Sequence, residues 1–260
     1  MIREGGSCIS SKKSVLFTEN DFEDDFFTKA SFCLPKACIP PVQDQGNANC
    51  CYAFVVLNCM YVDLIVHKGE GFQGSVQEFM DCLHLYYPHE TIGDLADSVV
   101  HGYGNNFPNA FKYVGRFGVS LDEDYPFGGI CGDCLKDVIG RARTIRIEKF
   151  GELRNHSQAF RMLKKGHALA GCIIATRTLS HWDEERIYTL EDEIMDDVVL
   201  SGNISHHAIT LIGCGEENGI EYYIAQNTAG EDWGFHGCFK VEATLVTNIH
   251  YVVGCRVVES

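Results

Sequence analysis

The sequence predicts an α+β chain of two lobes sharing a cleft, a helical lobe over about 41–142 and a β-rich lobe over about 143–260. Three observations carry this prediction. Helical periodicity is confined largely to the first half of the chain. Short apolar or alternating runs between glycine-containing turns fill the second half. With 260 residues and 45% hydrophobic content, the chain can bury one large core or two small ones.

Residues 1–33 are acidic around Asp21–Phe27 and read as an N-terminal extension or the remnant of a pro-segment, leaving 34–260 as the main domain. Pro35, Pro40 and Pro41 impose an extended lead-in, because residues before proline avoid the helical region. A turn-rich loop, 42–47, follows. Residues 51–67 then form a long helix with Phe54, Leu57, Tyr61 and Leu64 on one face. Val55, Val56, Met60 and Val62 make it apolar nearly all round, so it is a buried helix. Ser75-Val76-Gln77-Glu78 has the form of a capping box and opens a second helix ending near Cys82. The stretch 83–106 reads as loop with a short helix at most. Residues 109–117 form a third helix closed by Gly118. In the second half, strands are expected at 143–150, 168–175, 187–188, 207–213, 220–226, 238–242 and 251–257, with a helix over 157–165. Residues 180–204 form an acidic insertion.

Lys and Arg number 21 against 36 Asp and Glu, a formal charge of −15, with no basic cluster longer than a pair. This balance excludes nucleic acid as the main partner. The longest apolar run, 53–66, contains Asn58 and Asp63 and falls short of the ~18–20 residues of a membrane span, so no membrane partner is expected. Thirteen cysteines are scattered along the chain, and residues 1–14 carry no apolar leader stretch. They read as buried reduced thiols, which favours a cytoplasmic setting over a lysosomal, vacuolar or secreted one. The sequons at Asn155 and Asn203 would matter only in a secretory compartment.

Other motifs carry little. Gly69–Gly74 fits G-x-G-x-x-G but follows a helix, so it is no dinucleotide site. Cys131-Gly132-Asp133-Cys134 lacks the second pair of a zinc site and reads as a disulfide half or a plain loop. The acidic run 191–197 reads as a solvated face. No metal ligand set and no cofactor is expected.

The chemistry concentrates at Cys51. It stands where a glycine-containing loop becomes a buried helix, and a helix N-terminus stabilises a thiolate. Gln45, six residues earlier, can offer its side-chain amide to a developing oxyanion beside the Cys51 backbone N–H. The run Pro41-Val42-Gln43-Asp44-Gln45-Gly46-Asn47-Ala48-Asn49-Cys50-Cys51-Tyr52-Ala53-Phe54 resembles the nucleophile segment of the papain-like cysteine proteases. His206-His207-Ala208-Ile209-Thr210-Leu211-Ile212-Gly213 resembles that family's histidine strand, and Gln226-Asn227-Thr228-Ala229-Gly230 its asparagine segment. His207 follows Cys51 by 156 residues, slightly beyond the ~130–150 usual for the family. The 180–204 insertion and the loop at 83–101 absorb the difference.

The resemblance covers roughly 34–260. It implies a papain-like two-lobed fold, with a helical lobe, a β-barrel-like lobe and the site in the cleft between them. It also implies thiol-dependent hydrolysis of peptide bonds through an acyl-enzyme. Cys51 would be the nucleophile, His207 the base, Asn227 the group orienting the imidazole, and Gln45 the oxyanion donor. Partners would be a peptide or protein substrate and a protein inhibitor. The alternative function is a weak or inactive relative that binds peptides in the same cleft.

Departures from the family pattern are specific. Tyr52 stands where the family has Trp, and Ala229 replaces the indole that shields the His–Asn bond. Tyr103-Gly104-Asn105-Asn106 occupies the glycine-rich turn that pairs with a bound peptide, so Asn105 and Asn106 are expected to offer backbone groups. Phe107 and Pro108 sit where the family builds its apolar specificity pocket. A family bridge would join Cys82 to Cys131 or Cys134.

Overall fold

A computed structural model describes residues 25–28, 30–87, 101–202 and 204–259. Its helices are α1 (Asp25–Thr28), α2 (Cys51–Lys68), α3 (Val76–Tyr86), α4 (Phe107–Phe117), α5 (His156–Leu163), α6 (Arg177–Ser180), α7 (Leu190–Ile194) and α8 (Asp197–Leu200). Its strands are β1 (Phe32–Cys33), β2 (Val119–Ser120), β3 (Arg143–Arg146), β4 (Lys149–Glu152), β5 (Leu169–Ile174), β6 (Ile187–Tyr188), β7 (His206–Glu217), β8 (Ile220–Gln226), β9 (Cys238–Glu242), β10 (Thr247–Val253) and β11 (Arg256–Glu259).

The all-round apolar character of α2 has the expected result. The helix is as long and apolar as a membrane span, yet 67% of it is buried inside the protein. Gly69, in the left-handed region at φ +82, ends it and donates to the Ile65 carbonyl at 3.0 Å. The glycines of the G-x-G-x-x-G run serve packing: a Cβ on Gly71 would meet Tyr61 at 2.5 Å. Ser75 caps α3 by accepting from Glu78 N–H at 2.9 Å. The helix runs one turn past Cys82, to Tyr86. The Glu78 carboxylate does not close the box. It accepts instead from Tyr113 Oη and Ser120 N–H, both at 2.8 Å, and pairs with Arg141 at 3.3 Å. The third helix starts at Phe107 and not at 109, because Asn106 caps it by accepting from Asn109 N–H at 3.0 Å.

Two cores lie on opposite faces of the large sheet. One gathers α2, α3 and α4 through residues such as Phe54, Phe79, Phe111 and Tyr113, and also takes Ala170, Ile212 and Ile224 from that sheet. The other fills the inside of the large sheet with Leu169, Ile209, Tyr223, Phe239 and Val241. That sheet runs β4-β10-β5-β7-β8-β9-β6, with β1 added on β7. Two expected strands divide. The run 143–150 becomes β3 and β4, and 251–257 becomes β10 and β11 at Gly254, φ +72. In each case the halves join different sheets, because β11-β3-β2 forms a small sheet whose Ile145 lies in the helical core beside Cys255 from the β10–β11 turn. The chain's last strand therefore returns to the helical side of position 143.

Residues 1–24 of the expected extension lie outside the described residues, as do 88–100 and the sequon Asn203. Phe26 stacks on Phe235 with ring centroids 4.5 Å apart, and β1 pairs with Cys214 and Gly213. Gly213 is required there, since a Cβ would meet the Phe32 carbonyl at 2.8 Å. Cys82 bonds to Cys134, while Cys131 stays free. Most of the other cysteines among the described residues are buried.

The acidic insertion departs from the expected solvated face. Asp196 caps two turns, accepting from Thr178 N–H at 2.7 Å and Val198 N–H at 2.9 Å. Burial pushes its carboxyl up, but these backbone and hydroxyl donors outweigh burial and hold it at about 2. Asp192 binds Arg186, which lies over the Trp182 ring.

A buried polar knot joins the lobes behind the cleft. Asn58 Nδ2 on α2 donates to Thr210 Oγ1 on β7 and Gln226 Oε1 on β8, both at 3.3 Å. Gln226 Nε2 in turn donates to the Pro40 carbonyl at 2.9 Å. Asn58→Ala strips partners from both groups, so urea unfolding should show a loss of about 1–3 kcal/mol. An unchanged midpoint would contradict the knot's role.

Candidate active site

The nucleophile loop is shaped by its own sequence. Asp44 Oδ1 accepts from Gly46 N–H at 2.8 Å, and Gly46 takes φ +56, which glycine accepts without strain. The chain then turns into α2 with Cys50 as N-cap and no side chain capping the helix. Cys51 is the first helical residue, so its N–H has no intrahelical partner and the positive helix end faces its thiol.

The other half arrives on β7 and just after β8. His207 lies on β7 and its ring nitrogen Nε2 is 2.7 Å from Asn227 Oδ1. That oxygen also accepts from Thr228 N–H at 2.8 Å, so it is an acceptor and Nε2 carries a proton. The other ring nitrogen is thereby left to interact with Cys51. Burial pushes the Cys51 thiol up, but the hydrogen bond and charge of His207, with the Ala208 and Tyr52 amides, outweigh it and leave it below its ordinary value. For His207 burial acts downward, and the Cys51 thiolate and Asn227 more than reverse it. Both shifts favour a thiolate–imidazolium pair. Neighbouring thiols differ. Burial and the adjacent Cys51 push Cys50 well up, and Cys172 rises to about 11 for the same two reasons.

Gln45 is held across the cleft. Its N–H donates to the Thr228 carbonyl at 2.9 Å, and its side-chain Oε1 accepts from Thr228 Oγ1. The Ala48 carbonyl, which can only accept, fixes which end of the amide is which. Nε2 gives one hydrogen to the Ala48 carbonyl at 2.7 Å, and an amide nitrogen has a second to offer an oxyanion. Cys51, His207, Asn227 and Gln45 are thus brought together. Thr228 was missed from sequence; its place directly after Asn227 was the available signal.

A pocket of about 260 Å³ opens beside His207, bounded by Gln45, Leu179, Ala229 and Trp233. Ala229 leaves room there, and Trp233 is held in the pocket wall by its indole N–H donating to the Leu179 carbonyl at 3.2 Å. Asn105, Asn106, Phe107 and Pro108 do not line this pocket. Their segment adjoins the nucleophile loop, where Asn49 N–H donates to the His101 carbonyl at 2.7 Å. Asn105 Oδ1 accepts from Asn106 N–H and from Asn109 Nδ2, each at 2.9 Å. Asn106 caps α4, Pro108 lies in its first turn, and Phe107 is buried against His250.

A two-lobed α+β fold with a cysteine–imidazole–asparagine array between the lobes defines a thiol-based site. The family profile described as "Papain family cysteine protease" matches residues 30–253, and the chain belongs to that family. It is 27% identical over 206 residues to "Cathepsin L-like proteinase" of Phaedon cochleariae, covering 79% of this chain and 57% of that protein. It is 25% identical over 218 residues to "Germination-specific cysteine protease 1" of Arabidopsis thaliana, covering 82% of this chain and 51% of that one. The chain thus spans little more than half the length of these relatives. Among solved structures, digestive procathepsin L 3 of Tenebrio molitor larval midgut superposes with TM-score 0.66 at 20% identity, over 84% of this chain and 67% of that one. The Carica candamarcensis cysteine protease CMS1MS2, in complex with E-64, gives 0.64 at 17% identity, over 84% and 94%. Both likenesses establish the papain-like fold.

A lowered Cys51 pKa and a raised His207 pKa both favour the doubly charged form of the pair. Iodoacetamide should therefore label Cys51 rapidly well below the ordinary thiol value of about 8.5. Labelling should slow on the acid side as the thiolate takes a proton. In His207→Ala the profile should move up toward the ordinary thiol range; a wild-type profile already centred there would contradict the pair.

Proposed function

We propose that the protein hydrolyses peptide bonds with Cys51 as nucleophile, through an acyl-enzyme. The observation that carries this reading is the bond of His207 Nε2 to Asn227 at 2.7 Å, which turns the other ring nitrogen to the Cys51 thiol. The Cys51 thiolate attacks the carbonyl carbon, and the oxyanion is met by the Cys51 N–H and the Gln45 amide. Collapse expels the amine, which takes the His207 proton. The neutral imidazole then accepts a proton from water, whose oxygen attacks the thioester and releases the acid.

The pocket beside His207 suits the side chain that follows the scissile bond, because the leaving amine departs on the histidine's side. On the other side, the segment 105–108 is the proposed wall for the substrate's acyl portion, with a preference for an apolar residue two before the scissile bond. The names of the relatives, which describe proteinases, support the same class of reaction.

Hydrolysis of a fluorogenic peptide library should vanish in Cys51→Ala. Gln45→Ala should lower kcat about 10²–10³-fold with little change in KM, the signature of a lost transition-state contact. Undiminished turnover in Cys51→Ala would overturn the assignment. Equal rates for all residues two before the cleavage point would dispose of the apolar preference alone.

A further inference from the structure

A second cluster lies at the far end of α2. Asp63 and His67 are four residues apart and so share a helix face. His167, from the turn between α5 and β5, closes against them from the β-rich side. Asp63 Oδ2 is used, accepting from Cys255 N–H at 2.8 Å. Its other oxygen, Oδ1, stands 3.4 Å from His167 Nδ1 and 3.7 Å from His67 Nε2. Neither contact is a formed hydrogen bond, and both Asp63 Oδ1 and His167 Nδ1 are enclosed without any other partner. The Asp63 side chain is only 2% exposed. Unpaired polar atoms at such depth are costly and point to a missing partner.

The chemistry of the three groups names that partner. One carboxylate oxygen and two imidazole nitrogens all lie within 4.8 Å of one another. In a tetrahedral zinc site, bonds of about 2.0–2.1 Å put neighbouring ligand atoms about 3.3 Å apart. The two separations from Asp63 Oδ1 are close to this, and the widest spacing of the set, up to 4.8 Å, closes on binding through the exposed His67 side chain. Imidazole and carboxylate suit zinc and its neighbours among the divalent transition metals.

We propose that Asp63, His67 and His167 bind a zinc-class divalent cation as a clamp between α2 and the β-rich lobe. The fourth position faces solvent on the side of His67, the most exposed of the three at 39%. Asp63 lies twelve residues along the helix from Cys51, or about 18 Å at 1.5 Å per residue. The clamp is therefore separate from the catalytic thiol, and it does not depend on the proposed activity.

The test uses the full chain carrying Cys51→Ala, so that the reactive thiol cannot bind metal, freed of metal with a chelator. After zinc is added and excess removed by gel filtration, atomic absorption should find one zinc per chain, and the melting temperature should rise. In the same background, His67→Gln changes a half-exposed side chain and should keep the metal-free melting temperature while losing both retained zinc and the thermal shift. His167→Gln should behave alike. No retained zinc, or zinc and shift undiminished in His67→Gln, would overturn the proposal.

Discussion

The contact between helix α2 and strand β7 sets everything else in this molecule. Cys51, the proposed nucleophile, is at the start of the one and the His207 imidazole near the start of the other, and they belong to different lobes. Residues along the two elements keep them in register. Asn58, two turns below Cys51, holds Thr210 on β7, three residues beyond His207, and through Gln226 the strand that ends beside Asn227. A polar group in such a core restricts how the apolar surfaces can slide, because only one register satisfies all its partners. The same buried face that makes α2 read as almost featurelessly apolar also makes it rigid enough to present a thiol.

Electrostatics then acts on a preformed geometry. Burial by itself would keep Cys51 protonated and His207 neutral, as it does for Cys50 next door. Their closeness reverses both effects, and Asn227 fixes the imidazole so that the reversal occurs at one nitrogen. Thr228 extends this order to Gln45 by donating to its Oε1, and the Ala48 carbonyl, which can only accept, sets the end of the amide that carries nitrogen. Ala229 has a different consequence. Without a large ring there, the space beside His207 is a pocket, so the change that removes a shield also supplies room for a substrate's leaving side.

Much of this was legible in the sequence. The long apolar helix, its Gly69 stop, the Ser75 cap and strands 220–226 and 238–242 follow from local pattern. The four site residues follow from three motifs whose order matched a known family. What failed was non-local. Strands 143–150 and 251–257 each split because the chain changes sheets mid-run, which alternation of side chains cannot reveal. The start of the third helix at Phe107 was missed because Asn106, read for its backbone groups, also serves as the helix cap through its side chain. The acidic run near 196 read as solvated because its backbone partners lie up to eighteen residues away. His167 stands a hundred residues from His67 in sequence, so their meeting at Asp63 had no sequence signal.

The central claim is a working thiolate–imidazole pair at Cys51 and His207. Intact mass and peptide mapping after brief exposure to an epoxysuccinyl peptide, with His207→Ala treated in parallel, test it most directly. The account predicts a single adduct on Cys51, strongly slowed in the variant. Equal labelling of Cys50, Cys51 and other thiols in both proteins, or no adduct on Cys51, would contradict it.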